Sequence, residues 1–211
     1  MKTYDYGDRE SSTVLIQMVG DHDMAGIENE VRLIRELSGT DDFRLIAVKV
    51  DNWNDDLSPW EAPAVFGQDG FGGGAERTLQ FLKDEVIAPI VLHDKDVKFY
   101  IGGYSLAGLF AIWSIYQIDI FAGCVAASPS AWFPKFTDYI SSRKILTEKV
   151  YLSLGDKEEK TRNPVMSQVG NAIREIHGIL NNEIETVLEW NQGNHFKEPD
   201  LRTAKGFAWV I

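Results

Sequence analysis

Hydrophobic positions along the chain alternate between short apolar runs and longer stretches with helical spacing. Apolar runs that predict strands lie at 13–19, 43–50, 97–101, 121–127, 150–154 and 184–190. Positions with a period near 3.6 predict helices between them, through Ile27–Leu37, Leu79–Ile90, Ser105–Ile118, Ala172–Leu180 and Leu201–Val210. A longer loop is predicted over 51–75. This alternation indicates right-handed βαβ crossovers.

The predicted fold is therefore a compact α/β domain with a mostly parallel central sheet and helices on both faces. The chain shows no repeat and no linker, so we expect one domain over residues 1–211 and no cap domain. In sheets of this kind ligands bind beyond the carboxyl ends of the strands, which directs the search for chemistry to about six loops.

Composition narrows the function classes. The 211 residues include a single cysteine, Cys124, which excludes a disulfide framework and a cysteine-based zinc cluster. The formal charge of −11 and the lack of a basic block argue against nucleic-acid or membrane partners. We find no apolar leader, no membrane-length run and no metal motif, and we expect a cytoplasmic protein without metal or cofactor. The oligomeric state is left open.

A Gly-x-Ser-x-Ala segment directly follows the predicted strand at 97–101. Gly103-Tyr104-Ser105-Leu106-Ala107 leads into an apolar helix, the context of a nucleophile elbow. Because the serine of such a turn adopts a strained backbone conformation, the residues two before and two after it must be small. A phosphate-binding loop is the rival interpretation, but Leu and Phe follow Gly108 where Lys and Ser or Thr would be needed. A purely structural turn is the other alternative.

A serine nucleophile needs a base, and His195 has the expected position. It follows the last predicted strand, which gives the order Ser, acid, His that is typical of α/β-hydrolases. His177 and His93 fall in or at the end of helical segments, and His22 follows the first strand in a place suited to substrate contact or loop structure.

The acid that orients this histidine should follow the strand at 150–154. Three carboxylates compete there, Asp156, Glu158 and Glu159, and their spacing does not choose among them. The oxyanion is expected to accept hydrogen bonds from the backbone N–H of Leu106 and from that of Asp21 or His22, in the loop after the first strand.

The order and spacing of several motifs resemble the esterase D/enterochelin esterase-like group of α/β-hydrolases. The similarity covers most of the chain and is carried by Phe71-Gly72-Gly73-Gly74, Gly103–Leu109, Ala127-Ser128-Pro129-Ser130-Ala131-Trp132, Leu154–Glu158 and Asn194-His195. It implies Glu158 as the acid rather than Asp156, and Trp132 as a residue of the substrate wall. Trp53 and Trp60, in the 51–75 loop, are further candidates for substrate contact.

The chain also departs from that group. Siderophore-cleaving members use basic residues for an anionic catecholate ligand, whereas the segment Asp51–Asp56 is acidic. A tri-catecholate iron complex is therefore not the expected substrate.

Our hypothesis is a serine carboxylesterase that acts on small-molecule, short-chain acyl esters through an acyl-enzyme. The alternatives are a thioesterase of the S-formylglutathione hydrolase type and a catalytically silent hydrolase fold that serves as a binding module.

Overall fold

The computed structural model describes residues 1–211 and contains a seven-stranded sheet of strand order β1-β3-β2-β6-β7-β8-β9. Its strands are β1 (Lys2–Gly7), β2 (Thr13–Val19), β3 (Arg44–Lys49), β6 (Lys98–Tyr104), β7 (Phe121–Ala127), β8 (Lys149–Gly155) and β9 (Glu185–Asn191). All are parallel except β1, which pairs antiparallel with β3. The predicted mostly parallel α/β sheet is confirmed.

Helices cover both faces of the sheet, as predicted. They are α1 (Ile27–Ser38), α2 (Trp53–Leu57), α3 (Ala75–Phe81), α4 (Ala88–His93), α5 (Leu106–Ser114), α6 (Phe136–Ser141), α7 (Val169–Leu180) and α8 (Pro199–Val210). A π-helical segment over Leu82–Ile87 joins α3 to α4, and short 3₁₀ turns span Glu158–Lys160 and Met166–Gln168. One hydrophobic cluster places α1 and α8 on one face, and a larger cluster places α3, α5 and α7 on the other.

The central strands are apolar on both faces because helices bury both sides. From Val14 to Val19 every residue of β2 is buried, including one polar side chain, Gln17. Continuous apolar runs of this kind are typical of parallel strands and explain why the pattern found them.

The structure contains a strand that the hydrophobic pattern did not predict. Residues 2–7 form β1, an edge strand whose side chains are mostly exposed. Because an exposed edge strand tolerates polar residues, β1 carries no apolar run that could reveal it.

The 51–75 segment contains α2 and a two-stranded hairpin, β4 (Glu61–Ala62) with β5 (Phe71–Gly72). It is too small to form a cap domain, in agreement with the prediction. No helix of the structure is both long and apolar enough to span a bilayer.

Candidate active site

The turn between β6 and α5 holds Ser105 in a strained conformation. Its backbone has φ 59° and ψ −120°, outside the regions that non-glycine residues favour. A Cβ at Gly103 would lie 2.5 Å from the Cβ of Ala107, so the turn closes only with glycine there. The small residues around the serine are therefore a steric requirement of the turn, as the sequence predicted.

His195 reaches this serine from the loop that follows β9. Its Nε2 lies 3.0 Å from the Ser105 Oγ. The Tyr104 hydroxyl donates a hydrogen bond of 2.7 Å to the His195 carbonyl, which anchors the loop beneath the imidazole. Two side chains that are 90 positions apart in the sequence thus meet at one edge of the sheet.

Of the three carboxylates in the loop after β8, the structure brings only Glu158 to the histidine. Its Oε2 lies 2.7 Å from the His195 Nδ1. Asp156 instead accepts the Gly193 N–H at 2.7 Å and braces the histidine loop. Glu159 points away and forms an ion pair with Arg174.

The second oxygen of Glu158 accepts three further hydrogen bonds. They come from the Ser128 hydroxyl and the Gly155 N–H, each at 2.7 Å, and from the Arg202 guanidinium at 2.8 Å. Burial by itself would raise the pKa of Glu158, but the hydrogen bond and charge of His195, with the donors Ser128 and Gly155, outweigh it and hold the pKa below its ordinary value. The site keeps this carboxylate ionised.

Sequence reasoning missed Arg202, a residue of α8 that is only 1% exposed. The same nitrogen that contacts Glu158 also donates to the Ser128 hydroxyl at 2.9 Å, and the other terminal nitrogen donates to the Asn194 carbonyl at 3.0 Å. The guanidinium therefore ties the acid to the histidine loop. Its signal in the sequence was an arginine on the same helix face as Gly206 and Val210, both of which pack against the sheet.

The loop after β2 stands beside the serine. Asp21 directs its side chain outwards to Lys49, while His22 packs edge-on against Trp53 and lines the cavity. The backbone N–H groups of Asp21 and His22 donate to no protein acceptor. That of Leu106, at the first position of α5, has no intrahelical acceptor, as at any helix start. These are the donors that the sequence predicted for an oxyanion.

A cavity of about 920 Å³ opens above Ser105, and its lining includes two chemically different groups of side chains. The apolar half, as we call it, is formed by Trp53, Phe66, Phe71, Trp132, Met166 and Val169. The acidic half is formed by Gln17, Asp23, Glu30, Asp200 and Thr203.

The expected substrate contact of Trp60 is corrected by the structure. Trp60 does not line this cavity, because its indole N–H donates to the Pro134 carbonyl and its rings pack against Phe133, Phe136 and Tyr139. Trp60 is therefore a packing residue of the 51–75 segment.

Comparison of the sequence with known proteins identifies a partial relative. No family model matches the chain. An uncharacterized protein of Bacillus subtilis, YbbA, is 25% identical over 145 residues, which are 64% of this chain and 58% of that relative. This chain therefore aligns with little more than half of that relative's length.

Solved structures resemble nearly the whole chain. An IroE-like serine hydrolase from Shewanella oneidensis superposes with a TM-score of 0.78 at 14% identity, covering 98% of this chain and 74% of that one. The siderophore hydrolase EstA of Aspergillus nidulans gives a TM-score of 0.72 at 19% identity, covering 97% and 84%. The chain thus has the fold of the α/β-hydrolases.

Proposed function

We propose that the protein is a serine carboxylesterase that hydrolyses short-chain acyl esters. The observation that carries the proposal is the pair of contacts at the cavity floor, Ser105 Oγ to His195 Nε2 at 3.0 Å and His195 Nδ1 to Glu158 Oε2 at 2.7 Å. This is the geometry of a nucleophile, its base and the acid that orients the base.

In the proposed reaction Ser105 attacks the ester carbonyl while His195 Nε2 accepts its proton. Glu158 holds the Nδ1–H tautomer and stabilises the imidazolium that forms. The backbone N–H of Leu106 and that of Asp21 or His22 donate hydrogen bonds to the developing oxyanion. The imidazolium then protonates the leaving alcohol, and water, activated by the same histidine, releases the acid from Ser105. The scheme needs no cofactor.

The cavity suits a small ester. Trp53 and Trp132 belong to its apolar half, where an acyl chain can be removed from water. The acidic half disfavours an anionic ferric catecholate, although the names of two of the similar structures refer to siderophores. We therefore keep neutral or cationic esters as the substrate class.

The first test is Ser105→Ala on a short-chain ester, where turnover should fall about 10⁴-fold or more. A fluorophosphonate should label the wild type and the control variant Ser130→Ala, but not Ser105→Ala. Ser130 is the matched control because its hydroxyl lies 3.5 Å from that of Ser105. Labelling that survives in Ser105→Ala would overturn the assignment of the nucleophile. No labelling of the wild type would favour a silent binding module, and faster turnover of a matched thiol ester would favour a thioesterase.

A further inference from the structure

Two polar side chains in the acidic half of the cavity are not used by the proposed reaction. Gln17 on β2 and Glu30 on α1 are each only 3% exposed. The Gln17 Nε2 donates to the Glu30 Oε2 at 3.2 Å. The other oxygens, Gln17 Oε1 and Glu30 Oε1, have no hydrogen-bond partner.

Unpaired buried acceptors are rare because leaving them without a donor costs free energy. Here two of them belong to neighbouring side chains that both line the cavity. Buried acceptors in the wall of a ligand cavity indicate a donor that arrives with the ligand.

The charges around this pair are negative. Burial raises the pKa of Glu30 well above its ordinary value, and the carboxylates of Asp23 and Asp200 raise it further. Both carboxylates also line the acidic half, whereas the two lysines of the cavity wall, Lys157 and Lys160, lie in the loop after β8. A positive group would relieve this repulsion, and the net charge of −11 attracts cations to the cleft as well.

An ammonium group fits these features better than other donors. It carries three N–H donors and a positive charge, whereas a hydroxyl offers one donor and no charge. No three His, Cys, Asp or Glu side chains are arranged to hold a metal ion. We propose that the acidic half binds an ammonium group of the substrate through Gln17 Oε1 and Glu30 Oε1. The protein would then be an esterase for amine-bearing esters, an inference that rests on the proposed function.

The experiment compares kcat/KM for pairs of esters that differ only in charge. On the acyl side the pair is ethyl ω-aminohexanoate and ethyl heptanoate, and on the alcohol side 6-aminohexyl butyrate and heptyl butyrate, so that both charged esters carry a primary ammonium group. We expect the wild type to prefer the charged member of one pair by about tenfold or more, because a buried hydrogen bond to a charged group contributes this much. The pair that shows the preference identifies the side that carries the amine.

Glu30→Gln should reduce this preference by about tenfold, since the variant keeps the shape and removes the acid. A loss of activity that affects both esters equally cancels in the ratio of their kcat/KM values. Glu28→Gln, on the exposed side of the same helix, is the control and should leave the ratio unchanged. If Glu30→Gln does not fold, Asp200→Asn should lower the ratio by a smaller factor.

Equal rates within both pairs, or a preference that survives in Glu30→Gln and Asp200→Asn, would overturn the inference. Gln17 and a protonated Glu30 would then be a closed acid–amide pair. Failure of the proposed function looks different, because the neutral esters would then not be hydrolysed in a Ser105-dependent way. In that case the inference fails with it.

Discussion

Two glutamates line the same cavity and are almost equally buried, yet their surroundings are opposite. Glu158 is 7% exposed and Glu30 is 3% exposed. The oxygens of Glu158 contact three donors and the His195 imidazole, whereas Glu30 has a single donor, the Gln17 amide. Arg202 forms an ion pair with Glu158, whereas the charged groups that act on Glu30 are the carboxylates of Asp23 and Asp200.

The pKa values of the two glutamates shift in opposite directions because their hydrogen-bond donors and neighbouring charges differ, although both residues are buried. Burial acts to raise the pKa of both residues, but only at Glu158 do the hydrogen bonds and the neighbouring histidine reverse it. The protein thus maintains a carboxylate where an imidazolium must be stabilised and leaves the other acid dependent on a proton or a cation. The following variants test this contrast.

The largest effect is expected for Glu158→Gln. Removing the carboxylate should lower kcat on a short-chain ester about 10³- to 10⁴-fold, because the tautomer of His195 is no longer fixed and its positive charge is no longer balanced. Glu159→Gln is the matched control on the next residue, since Glu159 contacts Arg174 at the surface. A Glu158→Gln enzyme within tenfold of the wild type would remove Glu158 from the mechanism.

Arg202→Met should have the next largest effect, this time on stability. It leaves the Glu158 carboxylate buried without its cation, which costs about 3–5 kcal/mol of unfolding free energy in urea. Arg174→Met breaks an exposed pair and should cost at most about 1 kcal/mol.

Arg202→Lys separates positioning from simple packing. It keeps the charge but not the several donors of the guanidinium, so it should fold better than Arg202→Met and retain a reduced kcat with little change in KM. In this variant the acid limb of the pH–rate profile should move to higher pH, because a less neutralised Glu158 favours the imidazolium. An unshifted profile with wild-type kcat would leave Arg202 a purely structural role.

Asp156→Asn should have a small effect and thereby sharpens the choice of the acid. The amide oxygen of the variant can still accept the Gly193 N–H, so kcat should stay within about threefold of the wild type. A loss comparable to that of Glu158→Gln would contradict the distances and restore Asp156 as the acid.

The sequence predicted the central strands because they are apolar on both faces, and it missed β1 because an exposed edge strand has no such pattern. The small residues around Ser105 indicated the nucleophile, and the position of His195 after the last predicted strand indicated the base. The choice of Glu158 over Asp156 needed a family resemblance, because both lie in one loop and only their side-chain directions differ.

Arg202 and the Gln17–Glu30 pair could not be foreseen in the same way. Their importance depends on which helix faces meet over the sheet, and a single polar residue in an apolar pattern does not name its partner. Trp60 shows the reverse case, since a tryptophan in the expected loop packs against Phe133 and Tyr139, which lie between β7 and β8, and does not line the cavity.

The smallest effect, and the most direct test of the contrast, is the stability of Glu30→Gln as a function of pH. An unfolded Glu loses its proton near pH 4.3, roughly, whereas Glu30 in the fold keeps it to higher pH because of burial and the carboxylates of Asp23 and Asp200. Between these two pKa values the folded state binds more protons than the unfolded state, so this residue makes the wild type less stable as pH rises. Glutamine at this position has no such proton.

We therefore expect the stability of Glu30→Gln relative to the wild type to increase as the pH rises above the range in which an unfolded Glu titrates, measured from about pH 5 to about pH 8. Urea midpoints of both proteins across this range measure the difference, in which the contributions of Glu158 and of the other groups that do not interact with Glu30 cancel. Glu28→Gln, on the exposed face of α1, should show no such trend. A flat difference for Glu30→Gln would mean that Glu30 is ionised in the fold like Glu158, and the contrast between the two residues would be lost.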